Sequence, residues 1–304
     1  MGRRLYGGPS DAGRRVYDGQ VIDDSLQSQL PPTKQKSKLA VNILTGVIAV
    51  ALLSGGIFFG VKFLQEERRN AEVIQLWDDV RDEANEDVAP ESDNGLTGES
   101  AYSTDPIDRV INWDNLFEIN TDIKCWLYIP DTNMDYPVMQ EQTFGEYSYL
   151  RRDIYGNDAS CGSLFTPCQP EGYEDKDAHL LIFGHNMRNG SMFSPLSGYK
   201  TEEFYLEHQY IYIYYPDRTE QWQVWSAYHT NKYDMVYNIP YEMGTVEYAN
   251  LLDDIESKKS YEAADVDVTT SMNILSLSTC DKTDGTNTGR FVVNAVLVDV
   301  KYLD

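Results

Sequence analysis

Histidine and cysteine are scarce in this chain, four of each among 304 residues. Neither is spaced for zinc, since no Cys-x-x-Cys and no His-x-x-x-His occurs. A Gly-rich phosphate-binding loop is missing too, which removes the usual nucleotide-cradling signature. Positive charge is short, 25 Lys and Arg against 49 Asp and Glu, for a formal net charge of -24. A chain of that sign lacks the electrostatic footprint for a phosphate backbone, so nucleic acid is excluded as a partner. Internal repeats are absent as well.

The charges that are present lie unevenly. Residues 1–38 carry net +3, residues 39–61 carry none, and the remainder carries net -27. The uncharged run LAVNILTGVIAVALLSGGIFFGV is long enough to span a hydrocarbon core of ~30 Å. It exceeds a usual signal-peptide core and lacks a clear small-x-small cleavage site before KFLQEERR. An uncleaved anchor at 39–61 is expected. Lys34, Lys36 and Lys38 before it balance Lys62, Arg68 and Arg69 after it. Arg3, Arg4, Arg14 and Arg15 then tilt the orientation toward a cytoplasmic tail and an extracellular C-terminal domain, a single-pass type II arrangement in the cell membrane.

Residues 1–38, polar and with a Pro31-Pro32 pair, are expected to be disordered. LQEERRNAEVIQLWDDVRDEAN reads as a helix with a partial stripe of Ile74, Trp77 and Val80. An acidic, Gly- and Ser-rich linker follows, and the domain boundary is placed near 105. NWDNLFEIN is a short helix candidate. Beyond it come eight strand candidates rich in β-branched and aromatic residues: CWLYIP, MDYPVMQ, GSLFTP, HLLIFGH, YIYIYYP, QWQVWSAYH, MNILSLSTC and RFVVNAVLVDVKYL. Eight such segments in about 200 residues predict a mainly β barrel or sandwich. One helix over 241–259 interrupts them, capped by Thr245, with Tyr248, Leu251, Leu252 and Ile255 as its stripe.

Strand alternation puts Leu275 and Leu277 on one face and Ser276, Ser278 and Cys280 on the other. With the leucines in the core, Cys280 would open toward a polar groove. The same alternation sets Leu180 and Ile182 opposite Leu181, Phe183 and His185. Arg290 opens the last strand after a loop that holds Gly285 and Gly289. A cysteine becomes a nucleophile with a partner that takes and returns a proton near neutral pH, which histidine does. A fixed guanidinium can hold the oxyanion of an acyl-transfer intermediate. Cys280, His185 and Arg290 at neighbouring strand ends would therefore form an acyl-transfer site. A lone cysteine is more often a small buried hydrophobe, and competitors exist in Cys125, Cys161, Cys168, His179, His208 and His229. Cys125 beside Trp126 reads as core, and Cys161 and Cys168 could pair.

SLSTC ten residues before Arg290, and FGHNM with its histidine 95 residues before Cys280, resemble the sortases, membrane-anchored cysteine transpeptidases of Gram-positive bacteria. Ser276 departs from the Thr-Leu-x-Thr-Cys signature. GHNM at 184–187, MF at 192–193, WLYIPDTNMDYPVMQ at 126–140 and the helix before the last strands resemble class B, over roughly 106–304. The resemblance implies a closed eight-stranded sortase-like β-barrel with N-terminal helices and one helix inserted before the last two strands. Residues 1–38 would be the tail, 39–61 the anchor, 62–105 a helix and linker, and 106–304 the catalytic domain. Cys280 would be the nucleophile, His185 the acid and base, and Arg290 the oxyanion clamp. Ser278, Asn186 and Asp281 would line the substrate site, Asp281 standing where many class B sequences have Glu.

The implied reaction cleaves a sorting signal after Thr through a thioacyl enzyme and joins the protein to an amine, with no cofactor and no metal. Partners would be surface proteins or pilins that carry a sorting signal. The acceptor would be a peptidoglycan precursor or, for a pilin polymerase, a pilin lysine. A papain-like or NlpC/P60-like hydrolase is disfavoured because those place Cys before His. A non-catalytic surface-binding module is the third alternative.

Overall fold

Tyr-, Val- and Ile-rich segments form the strands of this chain. The computed structural model describes residues 14–17, 20–23, 38–85, 105–170, 177–261, 266–281 and 287–303. The chain divides into two compact units, Met1–Gln65 and Glu66–Asp304.

In the first unit β1 (Arg14–Tyr17) pairs antiparallel with β2 (Gln20–Asp23), Val16 opposite Val21. This corrects the expectation of a disordered tail for those residues; the rest of 1–37 lies outside the described residues. α1 (Lys38–Asn85) carries the uncharged run. Its most apolar window has a mean hydropathy of 2.2 and no buried residue, so one helix is long and apolar enough to cross a membrane.

The second unit begins inside α1, at Glu66. Trp77, Val80 and Ala84 are buried in the barrel core, whereas Ile74 of the expected stripe is exposed. Small and aromatic residues at i, i+3 and i+7 give this part of the helix a packing face. Residues 86–104 of the expected linker lie outside the described residues. After them, Asn112 N–H donates to Ala84 O at 2.8 Å, which fastens α2 (Trp113–Ile119) beside the end of α1. Asn112 also caps α2, its side chain accepting from Asn115 N–H at 3.1 Å.

The strands are β3 (Ile123–Tyr128), β4 (Asp135–Gln140), β5 (Leu164–Thr166) and β6 (His179–Phe183). After α3 (Glu202–Glu207) come β7 (Tyr210–Tyr214) and β8 (Arg218–Asn231); after α4 (Val246–Lys258) come β9 (Ile274–Cys280) and β10 (Gly289–Tyr302). They close into a barrel in the order β10-β8-β7-β3-β4-β5-β6-β9. All eight correspond to the expected segments, and the barrel with α4 before the last two strands is the expected fold. Closure leaves no free edge among them. Only β4–β5 and β6–β9 run parallel.

The two faces of β9 differ in kind. Leu275 and Leu277 point into the barrel core, whereas Ile274 joins Val292 and Val296 in a second cluster outside it. The residues that cover this outer face are Tyr248, Leu251, Leu252 and Ile255 of α4 and Val236 of the preceding turn. Each of these large apolar side chains contributes about 1.5–3 kcal/mol on burial. Thr245 caps α4 as expected, accepting from Tyr248 N–H at 3.2 Å. α4 starts at Val246, five residues later than the 241 expected; Tyr241 is instead buried against the barrel, its hydroxyl donating to Met235 O at 2.6 Å.

Candidate active site

Register alone brings three of the expected residues to one rim. Cys280 is the cross-strand partner of Arg290 in the antiparallel β9–β10 pair. In the parallel β6–β9 pair Phe183 lies opposite Ser278, and two residues further on each strand lead to His185 and Cys280. Side-chain alternation then turns His185, Cys280 and Arg290 to the outer face.

Several contacts hold the histidine there. Gly184 N–H donates to Ser278 O at 3.2 Å, and Thr279 Oγ1 donates to Gly184 O at 2.8 Å. A Cβ on Gly184 would come within 2.7 Å of the Phe193 ring, so only glycine fits before His185. Phe193 N–H donates to His185 O at 2.9 Å, and Met192 closes the turn with a positive φ of 56°, a costly conformation for a side-chain-bearing residue. Asn186, itself exposed, donates from Nδ2 to Cys280 O at 3.3 Å.

His185 Nε2 lies 2.9 Å from Leu150 O. A carbonyl only accepts, so Nε2 carries the hydrogen, and Nδ1 is the nitrogen left to exchange a proton. Burial lowers the pKa of His185 below the ordinary histidine value, and the Arg151 charge adds to that; the Leu150 bond opposes it. The imidazole is therefore neutral at pH 7. Cys280 and Arg290 are half-buried, and Arg290 Nη1 donates to Gly289 O at 2.9 Å.

Ser278 and Asp281 are not open to a groove. Ser278 is buried, and its Oγ is 2.9 Å from the hydroxyl of Tyr237. Asp281 is buried on the opposite face of β9 from Cys280, held by Lys200 Nζ at 2.9 Å and His229 Nδ1 at 2.7 Å. On this face of β9 Ser276 and Ser278 are covered, and Cys280 is half-buried.

Tyr237, Phe183 and Tyr147 were missed by motif reasoning. The rings of Phe183 and Tyr237 stack at 5.9 Å, Phe183 and Tyr147 meet edge-on at 5.8 Å, and Tyr147 is half exposed. Burial raises the Tyr237 phenol far above its usual range, and it lies within electrostatic reach of both Arg290 and Cys280. The abundance of tyrosine was the available signal, but its strand-forming role masked this one.

The competitors are accounted for. All four cysteines are free, so Cys161 and Cys168 do not pair. Burial pushes Cys125 up to about 12, which makes it inert as a thiolate source. His208 Nδ1 donates to Pro130 O at 3.0 Å. Gly285 lies outside the described residues. Among the described residues no group of three or more His, Cys, Asp or Glu is arranged to hold a metal ion.

Comparison with known proteins gives a consistent result. A family model for the sortase domain matches residues 127–298. The chain is 31% identical over 188 residues to Sortase B of Staphylococcus aureus, covering 62% of this chain and 75% of the relative. It is 28% identical over 266 residues to Sortase B of Listeria monocytogenes, covering 87% of this chain and 99% of the relative. Its fold is similar to that of a Staphylococcus aureus sortase B–substrate complex, with a TM-score of 0.54 and 30% identity, covering 61% of this chain and 84% of that one.

Proposed function

Because the chain belongs to the sortase family, and within it to class B, we propose that Cys280, His185 and Arg290 carry out its transpeptidation. The observation that carries this reading is the register that brings the three to adjacent strand ends at one rim. The Cys280 thiol passes its proton to Nδ1 of His185 and attacks the carbonyl carbon of the Thr in a sorting signal. The carbonyl oxygen becomes an oxyanion, and the Arg290 guanidinium lies where it can stabilise that charge. The C–N bond then breaks, His185 returns the proton to the leaving amine, and a thioacyl enzyme remains. An incoming amine attacks the thioester, His185 takes its proton, the Cys280 sulfur leaves as the new amide bond closes, and His185 returns the proton to that sulfur.

The low proton affinity of His185 suits the first half of this cycle. An imidazolium formed there is a stronger acid than an exposed one and gives its proton readily to the departing amine. The substrates are surface proteins with a C-terminal sorting signal, and the acceptor is an amine of peptidoglycan. The apolar part of α1 anchors the enzyme, with residues 1–38 cytoplasmic and residues 62–304 outside the cell.

The test is incubation of the detergent-solubilised full chain with a panel of sorting-signal peptides, with triglycine or Nα-acetyl-lysine as acceptor, followed by mass spectrometry. A thioacyl adduct on Cys280 and a peptide–triglycine product are expected. A product formed only with the lysine acceptor would replace peptidoglycan by a pilin subunit. An adduct persisting in Cys280→Ala would overturn the assignment.

A further inference from the structure

For His185 to take a proton at Nδ1, its own hydrogen has to stay on Nε2. The group that meets Nε2 is the Leu150 carbonyl, at 2.9 Å. Leu150 ends a short helical turn, Ser148–Leu150, in the connection between β4 and β5. Connections are more mobile than the elements they join, so this carbonyl is only as fixed as the turn that carries it.

Glu141 ties that turn to the barrel. It follows β4 directly, is 2% exposed, and its N–H donates to Thr166 O of β5 at 3.1 Å. Both carboxylate oxygens reach the turn. Oε2 accepts from Ser148 Oγ at 2.6 Å, and Oε1 accepts from Tyr149 N–H at 2.8 Å. The first N–H groups of a helical turn have no partner inside it, and a buried carboxylate is costly unless hydrogen-bonded; each need meets the other here. Tyr149 is held again at its carbonyl, by Ser163 N–H at 2.9 Å, and at its hydroxyl, which donates to Asp122 Oδ2 at 2.6 Å. Behind the turn stands Gly162, with a φ of 56°, where a Cβ would come within 2.6 Å of Leu150 O.

From this chain of bonds we propose that Glu141 is a positioning residue for transpeptidation: it fixes the Ser148–Leu150 turn, the turn fixes Leu150 O, and Leu150 O keeps His185 in the tautomer that leaves Nδ1 open for the thiol proton. Glu141 acts through Leu150 and not on the reacting atoms. The proposal rests on the reading of His185 as the acid and base. With the turn loosened, the hydrogen can move to Nδ1, and an imidazole protonated there cannot accept the thiol proton at that nitrogen. The Leu150 bond also raises the proton affinity of His185 against its burial, so losing it leaves the ring harder to protonate.

Two-bond nitrogen–proton NMR correlation on the detergent-solubilised full chain, labelled at histidine nitrogens, reads the tautomer at pH 7. Comparison with His185→Gln identifies the His185 signals. The wild type is expected to carry the hydrogen on Nε2. Glu141→Met keeps the length of the side chain and removes both acceptors; it is expected to move the population toward Nδ1–H and to lower kcat on a sorting-signal peptide by at least ~10-fold, with KM within ~2-fold of wild type. Glu141→Gln retains an oxygen for Tyr149 N–H and is expected to hold the Nε2–H tautomer. Ser148→Ala removes one of the two bonds and carries the test, with a smaller shift in the same direction, if Glu141→Met fails to fold in urea titration. A wild-type tautomer in the folded variant would overturn the proposal and leave the role of His185 standing. A shifted tautomer with unchanged kcat, when His185→Gln is inactive, would overturn it as well. If His185→Gln turns over at the wild-type rate, the assignment of His185 falls, and the positioning role of Glu141 falls with it.

Discussion

Two rows of side chains cross the same three strands on the outer face of this barrel. At the covered end, His179 from β6, Ser276 from β9 and Asn294 from β10 form a hydrogen-bonded chain. At the rim, His185, Cys280 and Arg290 occupy the corresponding places six, four and four residues away along those strands. Both rows have a histidine, a short nucleophile-type side chain and a polar group. Their difference is cover. All three members of the first row are buried beneath α4 and its neighbours, and burial pushes His179 down to about 3. The members of the second are half-buried, and His185 is lowered by its partial burial and the Arg151 charge against a carbonyl bond that opposes them. Residue type alone thus does not single out the candidate reactive row; access for a substrate and a histidine still able to gain a proton do.

Substitutions in the two rows should separate activity from stability. Cys280→Ala is expected to lower kcat/KM on a sorting-signal peptide by at least ~10³-fold, with an unfolding midpoint close to wild type. Ser276→Ala in the covered row should do the reverse: it leaves His179 and Asn294 without their shared partner and costs about 1–3 kcal/mol of stability while turnover persists. Peptide kinetics and urea unfolding on the same preparations check both. Equal loss of activity in the two would erase the distinction between the rows.

Arg290→Lys gives the next largest effect. Charge is kept, but the planar fork of donors is replaced by a compact ammonium on a flexible stem. Loss of one oriented oxyanion donor costs about 10²–10³ in rate. A surface charge closing a loop would cost under about 0.5 kcal/mol of stability and nothing in rate. Near wild-type kcat/KM in Arg290→Lys would remove Arg290 from the reacting row.

The covered histidine makes a separate prediction in pH. His179 binds a proton far less well folded than unfolded, so the unfolded state takes up the extra proton and stability rises with pH through this window. The contribution is complete above about pH 6.5, the ordinary histidine value, and is lost as pH falls toward about 3. At pH 4.5 the loss amounts to roughly 2–3 kcal/mol. Urea unfolding of the wild type and of His179→Gln at pH 7 and 4.5 measures it as a smaller pH-dependent difference in the variant. An identical pH dependence in the two proteins would show that His179 is not the group responsible.

How far such a contrast can be read from sequence depends on the distance over which each feature is specified. Alternation within HLLIFGHN and MNILSLSTC already separates Leu180, Ile182, Leu275 and Leu277 from His185 and Cys280, because the strand period is local. The Cys280–Arg290 pairing was near to hand, since a ten-residue spacing joins two antiparallel strands. Strand order was legible only through the family resemblance, because β6 pairs with β9 across 95 residues. Cover was not legible. Tyr237 reaches Ser278 from a connection 41 residues away, and nothing in SLSTC marks Ser278 as roofed. Asp281 follows Cys280 directly, yet one step along a strand reverses the face, and Lys200 and His229 meet it there.

Tyr237 stands between the two rows and gives the smallest of these effects. Its hydroxyl is 2.9 Å from Ser278 Oγ, and Ser278 separates Ser276 of the covered row from Cys280 of the rim along the same face of β9. The ring itself stacks on Phe183, two residues before His185. Tyr237→Phe keeps that stacking and removes one hydrogen bond, worth about 0.5–1.5 kcal/mol net. If the bond does no more than fill the outer layer, stability falls by that amount and kcat/KM is unchanged. If it also sets the height of the Cys280 end of β9, then kcat/KM falls by about 2- to 10-fold as well, and the rate of Cys280 alkylation by iodoacetamide changes with it. The second outcome is expected, because the bond holds Ser278, two residues before Cys280, while the ring holds Phe183, two residues before His185. A variant that loses stability with both rates intact would place Tyr237 wholly in the covered row.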